Sequence, residues 1–201
     1  MLSCIEKPSP TCLHIPTASG DPVQRILEFK AGCYDLGLKP DVLALFDSQS
    51  WWATPAEIIA NADLIWVGGG STRNMLVLWE AWGLVPSLRA AHDKGTVIGG
   101  VSAGAICWFQ QGNTDSLGPG LRVLDCLGWL NGSCAPHYDE EPLRKPTLKA
   151  QLEQGLILPG IAIDGGCTVH YVDEAVSEVI SEREGAGAYL VDRLGAVAIT
   201  I

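Results

Sequence analysis

Hydrophobic positions fall in short runs separated by polar and glycine-rich breaks. Cys12–Ile15, Val42–Phe46 and Leu64–Val67 are apolar and too short for helices, and the pair Val97–Ile98 continues the series. Short apolar runs bounded by turn chemistry read as buried strands. Between them the spacing is helical. Val23, Ile26, Leu27 and Tyr34 follow the turn residues Pro16–Pro22, with Asp21 placed to cap, Pro22 at the first helical position, and Gly32 and Gly37 closing the segment. Thr54-Pro-Ala-Glu57 is a capping box with proline just inside, so a short helix starts there. Met75 to Trp82 and Val85 to Lys94 read as two further helices. Strands alternating with helices predict an α/β fold: a mainly parallel sheet with helices on both faces.

Beyond Phe109 the pattern changes. Gln110–Gly120 is polar and reads as a loop, Val123–Leu130 is apolar without a clear period, and Pro136–Pro142 is irregular. A helix is expected around Leu148–Leu152. Then come β-rich runs at Ala162–Ile163, Thr168–Val172, Val176–Ile180, Ala188–Val191 and Val197–Ile201. These predict C-terminal hairpin strands that extend or flank the sheet. No repeat or linker divides the chain, so residues 1–201 read as a single domain.

Composition narrows the class. The chain is 47% hydrophobic and 18% charged, which suits a well-buried globular protein. No apolar run reaches membrane-spanning length, and no signal peptide is visible, so a soluble cytoplasmic protein is expected. The net charge of −10 argues against nucleic acid or anionic membrane as partners. The seven cysteines are odd in number and include no C-x-x-C, which fits reduced thiols and argues against a structural zinc site. The seven tryptophans are either core or the cover of a homodimer face.

The candidate chemistry starts at Gly95–Phe109. Val97-Ile98 breaks at Gly99-Gly100 and continues as a helix-like Ala103–Phe109, with Gly100-Val-Ser102-Ala-Gly104 at the junction. A serine on a sharp strand-to-helix turn needs small neighbours, and the turn displays its hydroxyl as a nucleophile. Gly68-Gly69-Gly70 lacks both the rest of a dinucleotide fingerprint and the lysine of a P-loop, so no cofactor is implied. It reads better as bare backbone at a substrate carbonyl. The N–H of Gly69 or Gly70, with that of Ala103, would form an oxyanion hole.

A serine nucleophile needs a base. His14 lies inside an apolar strand, His92 at a polar helix end, and His170 in a β-run. His137, in the constrained loop Ala135-Pro-His-Tyr-Asp139, is the best placed to be displayed. Asp115, Asp139, Glu140 and Asp164 are candidates for the carboxylate that orients it.

The strand followed by Gly68-Gly69-Gly70, the segment Gly100-Val-Ser102-Ala-Gly-Ala105 and the loop Pro136-His137-Tyr-Asp-Glu-Glu-Pro142 together resemble the peptidase E family. These are S51-type serine peptidases that include aspartyl dipeptidases and the related cyanophycinases. The resemblance runs from about Leu13 to the final β-runs. It implies a fold like the class I glutamine amidotransferases with serine in place of their cysteine, Ser102 as nucleophile and His137 as base. The family's acid is usually a glutamate in a Leu-x-Glu-Gly segment. The matching segment here is Ile161-Ala-Ile-Asp164-Gly165, and Asp115 matches an alternative aspartate after the nucleophile helix. Asp164 is slightly favoured. Arg144 stands where family members that cleave after an N-terminal aspartate carry a basic reader of its carboxylate, or else it pairs with Glu140 or Glu141. The stretch between His137 and Asp164 is shorter than in the aspartyl dipeptidases. The expected activity is hydrolysis of short peptides with a free N-terminus, Asp-X dipeptides among them. An esterase or amidase using the same serine, or a binding protein that keeps the fold without turnover, are the rival readings.

Overall fold

In the computed structural model, which describes residues 1–200, the first apolar runs become parallel strands. Contacts gather the chain into two compact units, one ending at Gly104 and one starting at Ala105.

The first unit is β1 (Thr11–Ile15), α1 (Val23–Asp35), β2 (Lys39–Val42), α2 (Pro55–Ala60), β3 (Leu64–Val67), α3 (Thr72–Ala81), α4 (Leu84–Asp93) and β4 (Val97–Gly100). The strands lie in the order β2-β1-β3-β4, all parallel, with Leu13 opposite Ile65 and Ile65 opposite Ile98. The step from β1 to β2 runs one way across the sheet, and the steps to β3 and β4 run the other. Right-handed crossovers therefore put α1 on one face and α2, α3 and α4 on the opposite face. Burial follows the two-residue alternation of the strands. Cys12 and Leu64 pack with Cys33 of α1, flanked by Phe29 and Trp66. The alternate positions Leu13, Ile15, Ile65 and Val67 are fully buried, as are Met75 and Trp79 of α3 and Leu88 of α4. Each such side chain contributes about 1.5–3 kcal/mol through burial.

The second unit begins within α5 (Ala103–Ile106). It continues with β5 (Phe109–Thr114), β6 (Arg122–Asp125), β7 (Leu130–Ala135), α6 (Arg144–Glu153), β8 (Gly160–Ile163), β9 (Cys167–Val172), β10 (Ala175–Ser181), β11 (Ala188–Asp192) and β12 (Gly195–Ala198). Its six-stranded sheet runs β12-β11-β8-β7-β5-β6, with β7 parallel to both neighbours and the outer strands antiparallel. Alternation again sorts the core. Ala135 and Ala162 face Leu148 and Leu152 of α6, while Cys134 and Ile161 share the other side with Ile106, Phe109 and residues of the β9–β10 hairpin.

Four expectations shift. The second strand is Lys39–Val42, because β1 sets the register through Thr11–His14; the apolar Leu43–Leu45 is buried just past it. The helix after Ser102 stops at Ile106, and β5 starts at Phe109, the end of the run read as helix, and continues through Gln110–Thr114 of the stretch read as a loop. Asp21 does not cap α1, whose N-cap is Pro22; its carboxylate accepts the Phe46 N–H at 2.9 Å. Gly32 lies within α1, and the chain turns at Gly37 with φ +72°. Strands β9 to β11 fall on the predicted β-rich runs, while β12 starts earlier than expected and shares only Val197–Ala198 with the run Val197–Ile201, of which Ile201 lies outside the described residues. Among the described residues no helix is long and apolar enough to cross a membrane.

Candidate active site

Ser102 lies in the first unit. Val67 ends β3 and Gly100 ends β4, paired side by side, so the Gly68–Gly70 loop and Ser102 leave the carboxyl edge of the sheet together. Ligands bind at that edge in open α/β sheets. Ser102 adopts φ +56°, a left-handed backbone that costs a non-glycine residue on the order of 1–2 kcal/mol. The Val101 N–H donates to Val67 O at 3.1 Å and the Gly104 N–H to Val101 O at 2.9 Å, which closes the turn. The flanking glycines are required by sterics. A Cβ on Gly104 would stand 2.3 Å from Val67 O, and one on Gly100 would stand 2.5 Å from the same oxygen.

The glycine loop walls the serine. A Cβ on Gly69 would lie 3.2 Å from Ser102 Cβ and 3.8 Å from its Oγ. Gly70 has φ +141°, and a Cβ there would collide with Ala18 O, which also accepts the Ser71 N–H at 2.7 Å. Backbone therefore approaches the hydroxyl where a side chain has no room. Ala103, fully buried, opens α5, where first-turn N–H groups have no partner within the helix.

His137 lies in the second unit. Its loop leaves β7 at Ala135, and the Tyr138 N–H donates to Ile163 O at 3.0 Å. His137 is also left-handed, with φ +54°, and its carbonyl accepts the N–H groups of Glu140 and Glu141. This tight turn brings Glu140 back onto the ring: His137 Nδ1 lies 2.8 Å from Glu140 Oε2. An ionised carboxylate only accepts, so this contact favours a proton on Nδ1, and the neutral ring in that tautomer has its lone pair on Nε2. The two side chains are 31% and 53% exposed, so the pair adds less than about 1 kcal/mol to folding; what it fixes is tautomer and ring orientation.

The other predicted residues sit as follows. Asp164 is buried, and its Oδ2 accepts the Gly187 N–H at 3.0 Å and the Tyr189 hydroxyl at 3.1 Å. That bond, with burial, raises the Tyr189 pKa. Asp115 is exposed, directly after β5. Asp139 accepts the Gly165 N–H and pairs with Arg183; burial pushes its pKa up, but these two partners outweigh it and hold the carboxyl low. Arg144 is 3% exposed. Its guanidinium donates to the carbonyl and side-chain oxygens of Asn113 and, at 2.7 Å, to Glu141. Cys107, five residues past the serine, is fully buried. Desolvation, then Cys126 and Cys134, push its thiol well above the usual range, so it is a core residue.

Of the four carboxylates the sequence offers, Glu140, and not the favoured Asp164 or Asp115, is the one bonded to the ring. The available signal was local: a histidine in a proline-bounded turn with a glutamate three residues on.

A serine elbow on a parallel sheet edged by a bare glycine loop defines a serine hydrolase of α/β type. The chain belongs to the S51 peptidases: residues 1–179 match the family described as Peptidase family S51, and it is thus a serine-type peptidase. A Bacillus subtilis (strain 168) protein named "Uncharacterized peptidase YgaJ" is 41% identical over 191 residues, covering 95% of this chain and 82% of that protein. Two solved structures share the fold. A putative peptidase E protein from Listeria monocytogenes EGD-e superimposes with a TM-score of 0.65 at 20% identity, over 90% of this chain and 91% of that one. A peptidase from an acI-B1 Actinobacterium gives 0.68 at 18% identity, over 94% and 80%.

Proposed function

We propose that this peptidase hydrolyses short peptides with a free N-terminus, Asp-X dipeptides among them, by serine catalysis. The observation that carries the reading is Ser102, held left-handed on a turn that only glycines can flank. In the proposed reaction the Ser102 Oγ attacks the scissile carbonyl carbon. Nε2 of His137 takes the hydroxyl proton and later gives it to the leaving amine. The N–H groups of Gly69 or Gly70 and of Ala103 stabilise the oxyanion. Water then releases the acyl group by the same steps.

The orienting carboxylate in this proposal is Glu140, because it is bonded to the ring nitrogen remote from the reaction. Asp164 and Asp115 are the other two candidates. Asp164 already accepts two hydrogen bonds, from Gly187 and Tyr189. Selectivity for an N-terminal aspartate is the finest part of the proposal. Arg144 can serve it only by giving up Glu141 or Asn113.

The test is a panel of Asp-X, Glu-X, Asn-X and Ala-X dipeptides with the wild type and Ser102→Ala. Cleavage of Asp-X abolished by Ser102→Ala supports the full reading. Cleavage of the other members alone removes the aspartyl preference and keeps the mechanism. No Ser102-dependent cleavage, with ester substrates turned over instead, overturns the dipeptidase reading.

A further inference from the structure

Glu140 lies between His137, which it meets at 2.8 Å, and a backbone segment on its other side. Gly165 follows Asp164 at the end of β8. A Cβ on Gly165 would stand 2.1 Å from Glu140 Cδ, 2.1 Å from Oε1 and 2.6 Å from Oε2. The Glu140 carboxylate therefore occupies the space a side chain at 165 would fill.

The Gly165 peptide is held from both sides. Its N–H donates to Asp139 Oδ1 at 2.9 Å. Its carbonyl accepts from Arg183 Nε at 3.3 Å and from an Arg183 terminal nitrogen at 3.0 Å, and the same guanidinium pairs with Asp139 Oδ2. One carboxylate, one guanidinium and one peptide close a ring. Such a ring fixes a peptide plane far better than a single bond does, since rotation would break bonds on both edges at once. Neighbouring contacts anchor the segment further: the Tyr138 N–H bonds to Ile163 O, and buried Asp164 bonds to Gly187 and Tyr189.

We propose that Gly165, clamped by Asp139 and Arg183, is a positioning residue that sets the Glu140 carboxylate on His137. The proposal rests on the reading of His137 as a base oriented by Glu140. The clamp has no need to touch substrate. It places a flat, side-chain-free surface behind a flexible, half-exposed glutamate and leaves it the room to lie against the imidazole. The backbone at Gly165 is not left-handed, unlike that at Gly166 with φ +72°. Alanine is thus tolerated by the chain itself, and what yields is the Glu140 carboxylate, the far end of a flexible side chain. Gly165→Ala consequently removes the Glu140–His137 bond without altering either residue.

The experiment compares wild type, Gly165→Ala, Glu140→Ala and the double variant, all folded by circular dichroism. The first readout is the His137 Nδ1–H proton resonance in histidine-¹⁵N-labelled protein, which does not depend on activity. It is expected in the wild type and absent from the three variants. The second readout is hydrolysis of whichever dipeptide the panel identifies. Gly165→Ala is expected to lower kcat by about ten-fold or more with KM within about two-fold. The double variant should fall no further than Glu140→Ala, the signature of two residues acting through one bond. If Gly165→Ala does not fold, Arg183→Ala opens the clamp from outside and should weaken the same resonance. Persistence of the resonance in Gly165→Ala (or in Arg183→Ala, where that variant is used), or kcat losses that multiply in the double variant, would overturn the proposal. Loss of the resonance with no Ser102-dependent hydrolysis in the wild type would sink the peptidase substrate reading and leave the positioning role standing.

Discussion

Glu140 Oε2 lies 2.8 Å from Nδ1 of His137, three residues earlier in the same turn. The pair is local in sequence and half-exposed, so its chemistry separates cleanly from its small part in folding. Glu140→Gln removes the charge and offers an amide that can donate to Nδ1, which favours the wrong tautomer. We expect kcat to fall by roughly 10²- to 10⁴-fold with KM little changed, by analogy with the loss of a buried triad carboxylate. Stability should change by less than about 1 kcal/mol. Steady-state kinetics and a urea titration check both parts.

Gly104→Ala probes the elbow. The added methyl would meet Val67 O at 2.3 Å and Val67 Cβ at 2.8 Å, so the start of α5 and the end of β3 must part. Overpacking of this kind costs about 1–3 kcal/mol. Because the displaced turn carries Ser102, fluorophosphonate labelling of the variant should slow even where it remains folded. Labelling at the wild-type rate would show that the corner has slack.

Arg144→Met tests whether that guanidinium holds structure or reads substrate. The methionine keeps most of the apolar stem but leaves the Asn113 carbonyl without its donor and Glu141 without its partner. A loss of roughly 2–4 kcal/mol is expected, Glu141 being partly exposed. The ratio of Asp-X to Ala-X hydrolysis by the folded variant should stay constant. A selective rise in KM for Asp-X would instead assign Arg144 to the substrate carboxylate.

His14 gives the fold an acid-sensitive point. It is 5% exposed, stacked on Phe29 at 4.6 Å, with Nδ1 3.1 Å from Trp66 O. Burial lowers its pKa below the ordinary 6.5, outweighing the Trp66 carbonyl, and the Arg25 charge works in the same direction as burial. Above pH 6.5 the folded and unfolded chains both hold it neutral. Below that value the unfolded chain takes up a proton that the folded one refuses, so stability falls as pH drops. Urea midpoints at pH 7.5 and 5.5 should therefore differ more for the wild type than for His14→Gln. An equal difference would refute the assignment.

The parts of the fold that were legible in the sequence are those decided within a few residues. The capping box is one: the Glu57 N–H donates to Thr54 Oγ1 at 3.3 Å, and the Thr54 N–H to Glu57 Oε2 at 3.0 Å. The serine turn and its glycines are another. The strand β5 was hidden because its polar Asn113 is satisfied from afar, by Gln151 at 2.8 Å and by Arg144. No period in Gln110–Thr114 announces such partners. The segment Ile161–Gly165 was singled out by resemblance, and it does adjoin the histidine loop. Its contact there is the bare Cα of Gly165 against Glu140, while the Asp164 side chain turns to Tyr189. Which of two neighbouring carboxylates meets an imidazole depends on side-chain direction, which sequence spacing leaves open.

In the proposed mechanism, the left-handed backbone at Ser102 sets stability and turnover against each other. Glycine at this position would relax the turn and gain on the order of 1 kcal/mol, while deleting the hydroxyl. Ser102→Gly, inactive in the proposed mechanism, should thus outlast the wild type on heating. A strained corner that glycine would relax is thus kept, in the proposed mechanism, for the hydroxyl it displays.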